Sequence, residues 1–421
     1  MNKEKQIYFP TIDKVKQAAD TIKKVSAVTS LHASLRYSEH YKANILLKRE
    51  DLQQVRSYKI RGAYNKISSL TKEESQKGVV CASAGNHAQG VALSCKLLQI
   101  QGTIYMPAPT PNQKLEQVKM FGGDYINIKL EGDTFDDAYH SAMVECDELG
   151  KTFIHPFNDE KVIEGQATVG LEILEQTDVP IDYVFLAVGG GGLAAGLSTV
   201  FKLLSPNTKI IGIEPEGAPS MSTSIKNNKN TTLEHIEKFI DGAAVKRVGD
   251  LTFAICKENL DDMITVPEGK VCETILELYN KDAIVVEPAG ALSISALDFY
   301  AEEIKGKNVV CIVSGSNNDI TRTAEIKERA LLYANLKHYF ILKFPQRAGA
   351  LKDFVVDILG PNDDITYFQY AKKTNRENGS AVVGIQLKSS SDLEPLITRM
   401  KTHKFYGDYL NDKPDLFQFL V

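Results

Sequence analysis

The chain has 421 residues, 43% of them hydrophobic and 24% charged, with a formal charge of −5. That composition can bury real cores and excludes wholesale disorder, while the lack of surplus Lys or Arg excludes a general nucleic-acid binder. The length points to two or three domains and to small-molecule chemistry. The N-terminal MNKEKQIYFPTIDKVKQAAD has no apolar core of a secretory signal, and no run has membrane length, so a cytoplasmic location is expected. Cys81, Cys95, Cys146, Cys256, Cys272 and Cys311 are scattered without a CxxC pair and read as small core residues in a reducing compartment.

From about residue 43, short apolar runs alternate with amphipathic helical stretches, the rhythm of an α/β protein with mostly parallel sheets. ANILLK, GVVCAS, GTIYMP, DYINIK and KTFIHP read as strands, followed by DYVFLAV, TKIIGIE and NVVCIVS. So many strands predict two packed lobes, the smaller spanning about residues 48–155, with a ligand in the crevice at the carboxyl ends of the strands. The boundaries expected are a catalytic domain over 1–325, a connecting helix over 326–337 and a terminal domain over 338–421 with its core at 338–412. In the last, HYFILKF, DITYFQYAK, AVVGIQLK and LFQFLV are the expected strands. AGALKDFVVDIL and LEPLITRMKTH are the expected helices, giving the βαββαβ order of a ferredoxin-like α+β unit.

Four segments carry residues suited to chemistry. In SYKIRGAYNKISSL, Ser57 can cap a helix with Lys59 in its first turn, where the helix dipole and burial favour a neutral, nucleophilic amine. Taken alone, a lysine is more often a solvated surface residue. In CASAGNHAQG a strand runs through Ser83, Ala84 and Gly85 into a helix at Asn86, a place for an anion such as a carboxylate, or simply a capped turn. His87 beside it reads as structural. Gly189, Gly190, Gly191 and Gly192, followed by Leu193, lie between a strand and a small-residue helix; four glycines in a row suit close backbone approach to a phosphate. In NVVCIVSGSNND, Ser314 can offer a neutral hydrogen bond to a ring nitrogen, or cap a helix.

The glycine run admits a rival, because Glu214 ends the next strand where a dinucleotide fold would bind ribose. The run is nevertheless contiguous and not the spaced GxGxxG, and it lies mid-chain. A non-catalytic amino-acid sensor is a further alternative.

Read in order, EDLQQVRSYKIRGA, SAGNHAQG, GGGGL and the Ser314 turn resemble the signatures of the fold-type II pyridoxal-phosphate enzymes, and of their threonine dehydratases in particular. The resemblance implies the two-lobed fold of the tryptophan synthase β-like enzymes and pyridoxal 5′-phosphate as cofactor. It places Lys59 and Ser83 as catalytic residues, with the cofactor on Lys59 as a Schiff base. It further implies that Asn86 contacts the ring hydroxyl, Gly189 to Gly192 with Leu193 hold the phosphate, Glu287 in VVEPAGALS lines the site, and Ser314 faces the pyridine nitrogen. The implied reaction is elimination of water and ammonia from L-threonine, with L-serine as an alternative substrate. Racemases of this fold have a second serine where this chain has Ala84, which speaks against racemisation. Relatives that bind a divalent cation have a carboxylate where this chain has Ser220, near Glu214 and Ala218, so no metal is expected.

The terminal unit, with FPQRAGALKDF at its first turn, resembles the ACT-like regulatory domain of biosynthetic threonine dehydratases. That implies a role in isoleucine synthesis, L-isoleucine as allosteric inhibitor with valine opposing it, and a homotetramer. The other reading of this unit is an oligomerisation module that binds no effector.

Overall fold

A computed structural model describes residues 8–370, 378–413 and 416–417. The chain divides into two compact units, Met1–Ile320 and Thr321–Val421.

In the first unit, β1 (Leu31–Ala33), β2 (Asn44–Arg49), β7 (Tyr183–Ala187), β8 (Lys209–Pro215), β9 (Asp262–Val266) and β10 (Asn308–Val313) form one sheet in the order β1-β2-β10-β7-β8-β9. Only the β1–β2 pairing is antiparallel. The smaller lobe holds β3 (Val79–Ala82), β4 (Gly102–Met106), β5 (Ile126–Leu130) and β6 (Thr152–Phe153), all parallel, in the order β5-β4-β3-β6. The central strands β3 and β4 are buried at every residue, as unbroken apolar runs covered by helices on both faces should be. The run ANILLK joins the larger sheet as β2, beside β10. Strands β1 and β9 were not expected: one has three residues and the other is half-exposed at a sheet edge, so neither shows a buried run.

The helix Glu160–Gln176 packs against the helices Lys59–Ser68 and Gly192–Leu204 and so ties the lobes together. Glycine allows the first contact, since a Cβ on Gly165 would lie 2.6 Å from the Arg61 carbonyl oxygen. Beside it, Arg61 is fully buried. It donates to both oxygens of the buried Glu50 at 2.8 and 2.7 Å and to Glu172 at 2.6 and 2.9 Å, and Lys48 also donates to Glu172 at 2.6 Å. All six cysteines are buried. Among the described residues no helix is long and apolar enough to cross a membrane.

The second unit opens with the helix Thr323–Tyr333. Strands β11 (Lys337–Pro345), β12 (Asp364–Tyr370), β13 (Asn378–Gln386) and β14 (Tyr406–Tyr409) then form an antiparallel sheet ordered β12-β13-β11-β14, the ferredoxin-like arrangement. Its apolar face packs Phe340, Phe344, Phe354, Val383, Ile385, Leu396 and Met400. Two expectations are corrected here. Among the described residues the last strand is Tyr406–Tyr409; of the expected strand LFQFLV, Leu416 and Phe417 are helical and the remainder lies outside the described residues. The first helix is only Ala350–Asp353 before it widens into a π-helical turn over Phe354–Ile358.

Candidate active site

Lys59 is the first residue of its helix, as the pattern requires, but Ser57 does not cap it. Ser57 instead pairs through its backbone with Gly315, and its hydroxyl is buried without a protein partner. This pairing draws the lysine segment to the end of β10. The Lys59 ammonium donates to the Pro156 carbonyl at 3.0 Å. Burial of its amine pushes the Lys59 pKa down to about 8, against the opposing pull of the Glu287 carboxylate. His87 and His155 are held neutral by burial, at about 3 and about 4, and the nearby lysine reinforces both. His87 is structural: its Nε2 meets the Ile154 carbonyl at 2.7 Å.

Facing Lys59 is the glycine run, which turns from β7 into the helix Gly192–Leu204. Gly191 has φ of +91°, a conformation that L side chains rarely adopt. A Cβ on Gly190 would lie 2.1 Å from the Phe157 ring, so the loop is pressed flat against that ring. Tyr58, Lys59, Phe157, Gly189 to Gly192, Leu193 and Gly242 line one pocket. Amides at the head of a 13-residue helix, opposite an amine, form a ready anion cradle.

A second cluster lies at Asn86, the first residue of the helix Asn86–Leu98. Its Nδ2 donates to Glu287 Oε1 at 2.6 Å, and its Oδ1 accepts from Asn317 Nδ2 at 2.5 Å. Glu287 is 6% exposed, and burial, with Asp241 nearby, pushes its pKa up to about 7. The half-buried Ser83 accepts from the Gly85 amide at 3.3 Å. Ser314, 4% exposed, donates to the Ala289 carbonyl at 3.3 Å and caps no helix. Gly315 brings the Ser314 turn against Glu287, since a Cβ there would lie 2.5 Å from Oε1.

Glu214 lies apart from this pocket. Its carboxylate accepts from the amides of Met221 at 2.6 Å and Ser222 at 2.9 Å and from the Ser222 hydroxyl at 2.7 Å, while the Ser220 hydroxyl donates to the Val245 carbonyl. These bonds give Glu214 a structural partner set. Among the described residues no three His, Cys, Asp or Glu side chains converge as metal ligands.

Sequence reasoning missed Phe157, Pro156, Gly242 and the bonds made by Asn317. Their signals are tertiary, since Phe157 shows itself only by filling the space the glycines leave. The donor set fits pyridoxal phosphate: a lysine amine easily made neutral, a cradle closed to any Cβ at Gly190, and a buried neutral hydroxyl at Ser314.

Residues 22–315 match the family model described as pyridoxal-phosphate dependent enzyme, and residues 328–420 match the C-terminal regulatory domain of threonine dehydratase. The chain is 55% identical to the biosynthetic L-threonine dehydratase of Halalkalibacterium halodurans over 96% of this chain and 97% of that one. It is 54% identical to that of Bacillus subtilis, over 96% of each. Among solved structures, the processed threonine deaminase isoform 2 of Solanum lycopersicum aligns with TM-score 0.71 at 40% identity, over 77% of this chain and 96% of that one. Maize serine racemase aligns with TM-score 0.71 at 31% identity, over 77% of this chain and 99% of that one. A lysine facing a glycine cradle in a two-lobed fold, followed along the chain by a ferredoxin-like unit, thus has its place: the chain belongs to the pyridoxal-phosphate dependent enzyme family and carries the C-terminal regulatory domain of threonine dehydratase.

Proposed function

We propose that this protein is a pyridoxal-phosphate-dependent threonine ammonia-lyase, converting L-threonine to 2-oxobutanoate and ammonia in the committed step of isoleucine synthesis. The observation that carries the reading is Lys59, whose amine faces the glycine cradle with its pKa pushed down to about 8. Bound pyridoxal phosphate supplies an electron-withdrawing ring that acidifies the Cα–H of an amino acid. The chain's own residues then have distinct tasks. Lys59 Nζ holds the cofactor and, once freed, takes the Cα proton as a general base. The amides of Gly189 to Gly192 and Leu193 bind the phosphate, and Asn86 and Ser314 orient the ring from its edge. Ser314 would offer the ring nitrogen a neutral hydrogen bond rather than a charge, tempering the ring's electron withdrawal in favour of elimination over racemisation or transamination. Ala84 supports the same choice. Ser83 is positioned by its loop to meet the substrate, and Glu287 lines the ring side of the site.

The matched regulatory domain supports feedback control. L-isoleucine is the inhibitor proposed, with valine opposing it, in a cytoplasmic homotetramer whose second units pair. Purified protein is expected to show the absorbance of a lysine-linked cofactor, to release 2-oxobutanoate from threonine faster than pyruvate from serine, and to lose both properties in Lys59→Ala. A colourless protein without ketoacid release would overturn the assignment. Isoleucine should inhibit the full chain and not a chain ending at Ile320; equal inhibition of both would remove the regulatory reading.

A further inference from the structure

Asn86 can serve the cofactor only if the correct end of its amide faces the site, and an amide has one donor end and one acceptor end of nearly equal shape. The structure contains a device that decides between them. Val55, fully buried in the turn before Lys59, presents a backbone carbonyl, which can only accept. Asn317 meets that carbonyl at 3.0 Å, so the atom it presents must be its Nδ2. The second hydrogen of the same Nδ2 is directed to Asn86 at 2.5 Å, so the Asn86 atom receiving it must be Oδ1. The Nδ2 of Asn86 is thereby turned to Glu287 Oε1, at 2.6 Å.

The direction of this chain of bonds is set by a backbone group that cannot reverse it. Flipping Asn317 would set its Oδ1 against two acceptors at once, the Val55 carbonyl and Asn86 Oδ1. Asn317 keeps the orientation although its own Oδ1 is buried with no protein donor among the described residues. An unmade bond of this kind is tolerated where the other bonds outweigh it. The Asn317 backbone also favours the charged form of the Glu287 carboxyl, so one residue bears on both partners of the cluster.

We propose that Asn317 is a positioning residue that fixes Asn86 as a hydrogen-bond donor toward the cofactor, using the Val55 carbonyl as the fixed reference. This rests on the reading of Asn86 as a cofactor contact. Its side chain reaches the ring edge through Asn86 and lies apart from the glycine cradle.

The test is a double-mutant cycle on the full chain, stripped of cofactor and titrated with pyridoxal phosphate. Asn86→Ala, Asn317→Ala, the isosteric Asn317→Asp and the two combined variants are compared by cofactor affinity, by the pH at which the absorbance of the lysine-linked cofactor changes, and by melting of the stripped protein. Asn317→Asp, which keeps the shape and loses the donor, is expected to weaken affinity about tenfold and to shift the pH of the absorbance change, while any drop in melting is the same in both backgrounds. In the Asn86→Ala background the same substitution should change affinity by less than about twofold. Equal losses in the two backgrounds, or no loss from Asn317→Asp in the parent, would overturn the role of Asn317 while leaving Asn86 in place. Full affinity in Asn86→Ala would overturn the cofactor contact and this inference with it. If Asn317→Ala fails to fold, the isosteric variant alone decides the question.

Discussion

Stripping the protein of cofactor and timing its recapture across a range of pH tests the central electrostatic feature of the site. Only a neutral amine attacks the cofactor aldehyde, so the capture rate follows the unprotonated fraction of Lys59. With the pKa at about 8 rather than the ordinary 10.5, roughly one amine in ten is neutral at pH 7, against roughly one in three thousand. The rate should therefore rise about tenfold per pH unit below neutrality, bend near pH 8 and level off. Burial lowers this pKa and the Glu287 carboxylate opposes the change, so Glu287→Gln should move the bend to lower pH. The folded protein releases this proton more readily than the unfolded chain. Between about pH 8 and 10.5 the unfolded state thus binds more protons, and the stability of the stripped protein should rise with pH across that window. Stopped-flow absorbance at the cofactor band measures the rate. A rate still climbing tenfold per unit above about pH 9 would refute the reasoning.

Gly190→Ala places a Cβ 2.1 Å from the Phe157 ring, so cofactor affinity should fall at least about tenfold in an absorbance titration, with Gly85→Ala, which meets nothing within 4 Å, as the milder steric comparison. Arg61→Met leaves the fully buried Glu50 without its ion partner and should lower unfolding free energy by about 3–5 kcal/mol in urea denaturation. Asp241→Asn removes a negative neighbour that, after burial, raises Glu287; the Glu287 pKa should fall from about 7, as read by carboxyl infrared or NMR titration.

Segments that carry their own periodicity are legible in the amino-acid sequence. The runs of β3 and β4 are apolar at each position because both faces are covered, and the glycine run advertises close backbone approach at the loop it forms. Ser57 shows where local rules fail. A serine two residues ahead of a helix reads as a cap, yet tertiary pairing with Gly315 takes its backbone and leaves the cap empty. The cluster of Asn86, Glu287 and Asn317 is only partly legible, because its bonds join residues 201 and 231 positions apart. No spacing rule reaches across such intervals. Tyr406–Tyr409 is hard to read because its strand carries Gly407 and Asp408 and no apolar run marks it.

The placing of β2 between β1 and β10 has a consequence for how the molecule is made. Strand β2 leaves the ribosome well ahead of its parallel neighbour, which begins at Asn308, 264 residues after Asn44. At about 5–20 residues per second, that partner emerges roughly a quarter of a minute to a minute later. The strands of the smaller lobe, contiguous between them, can pair while the larger sheet still waits. Until β10 arrives, the apolar Ile45 and Leu47 lack the neighbour that buries them, so β2 is the strand left longest open to wrong pairing.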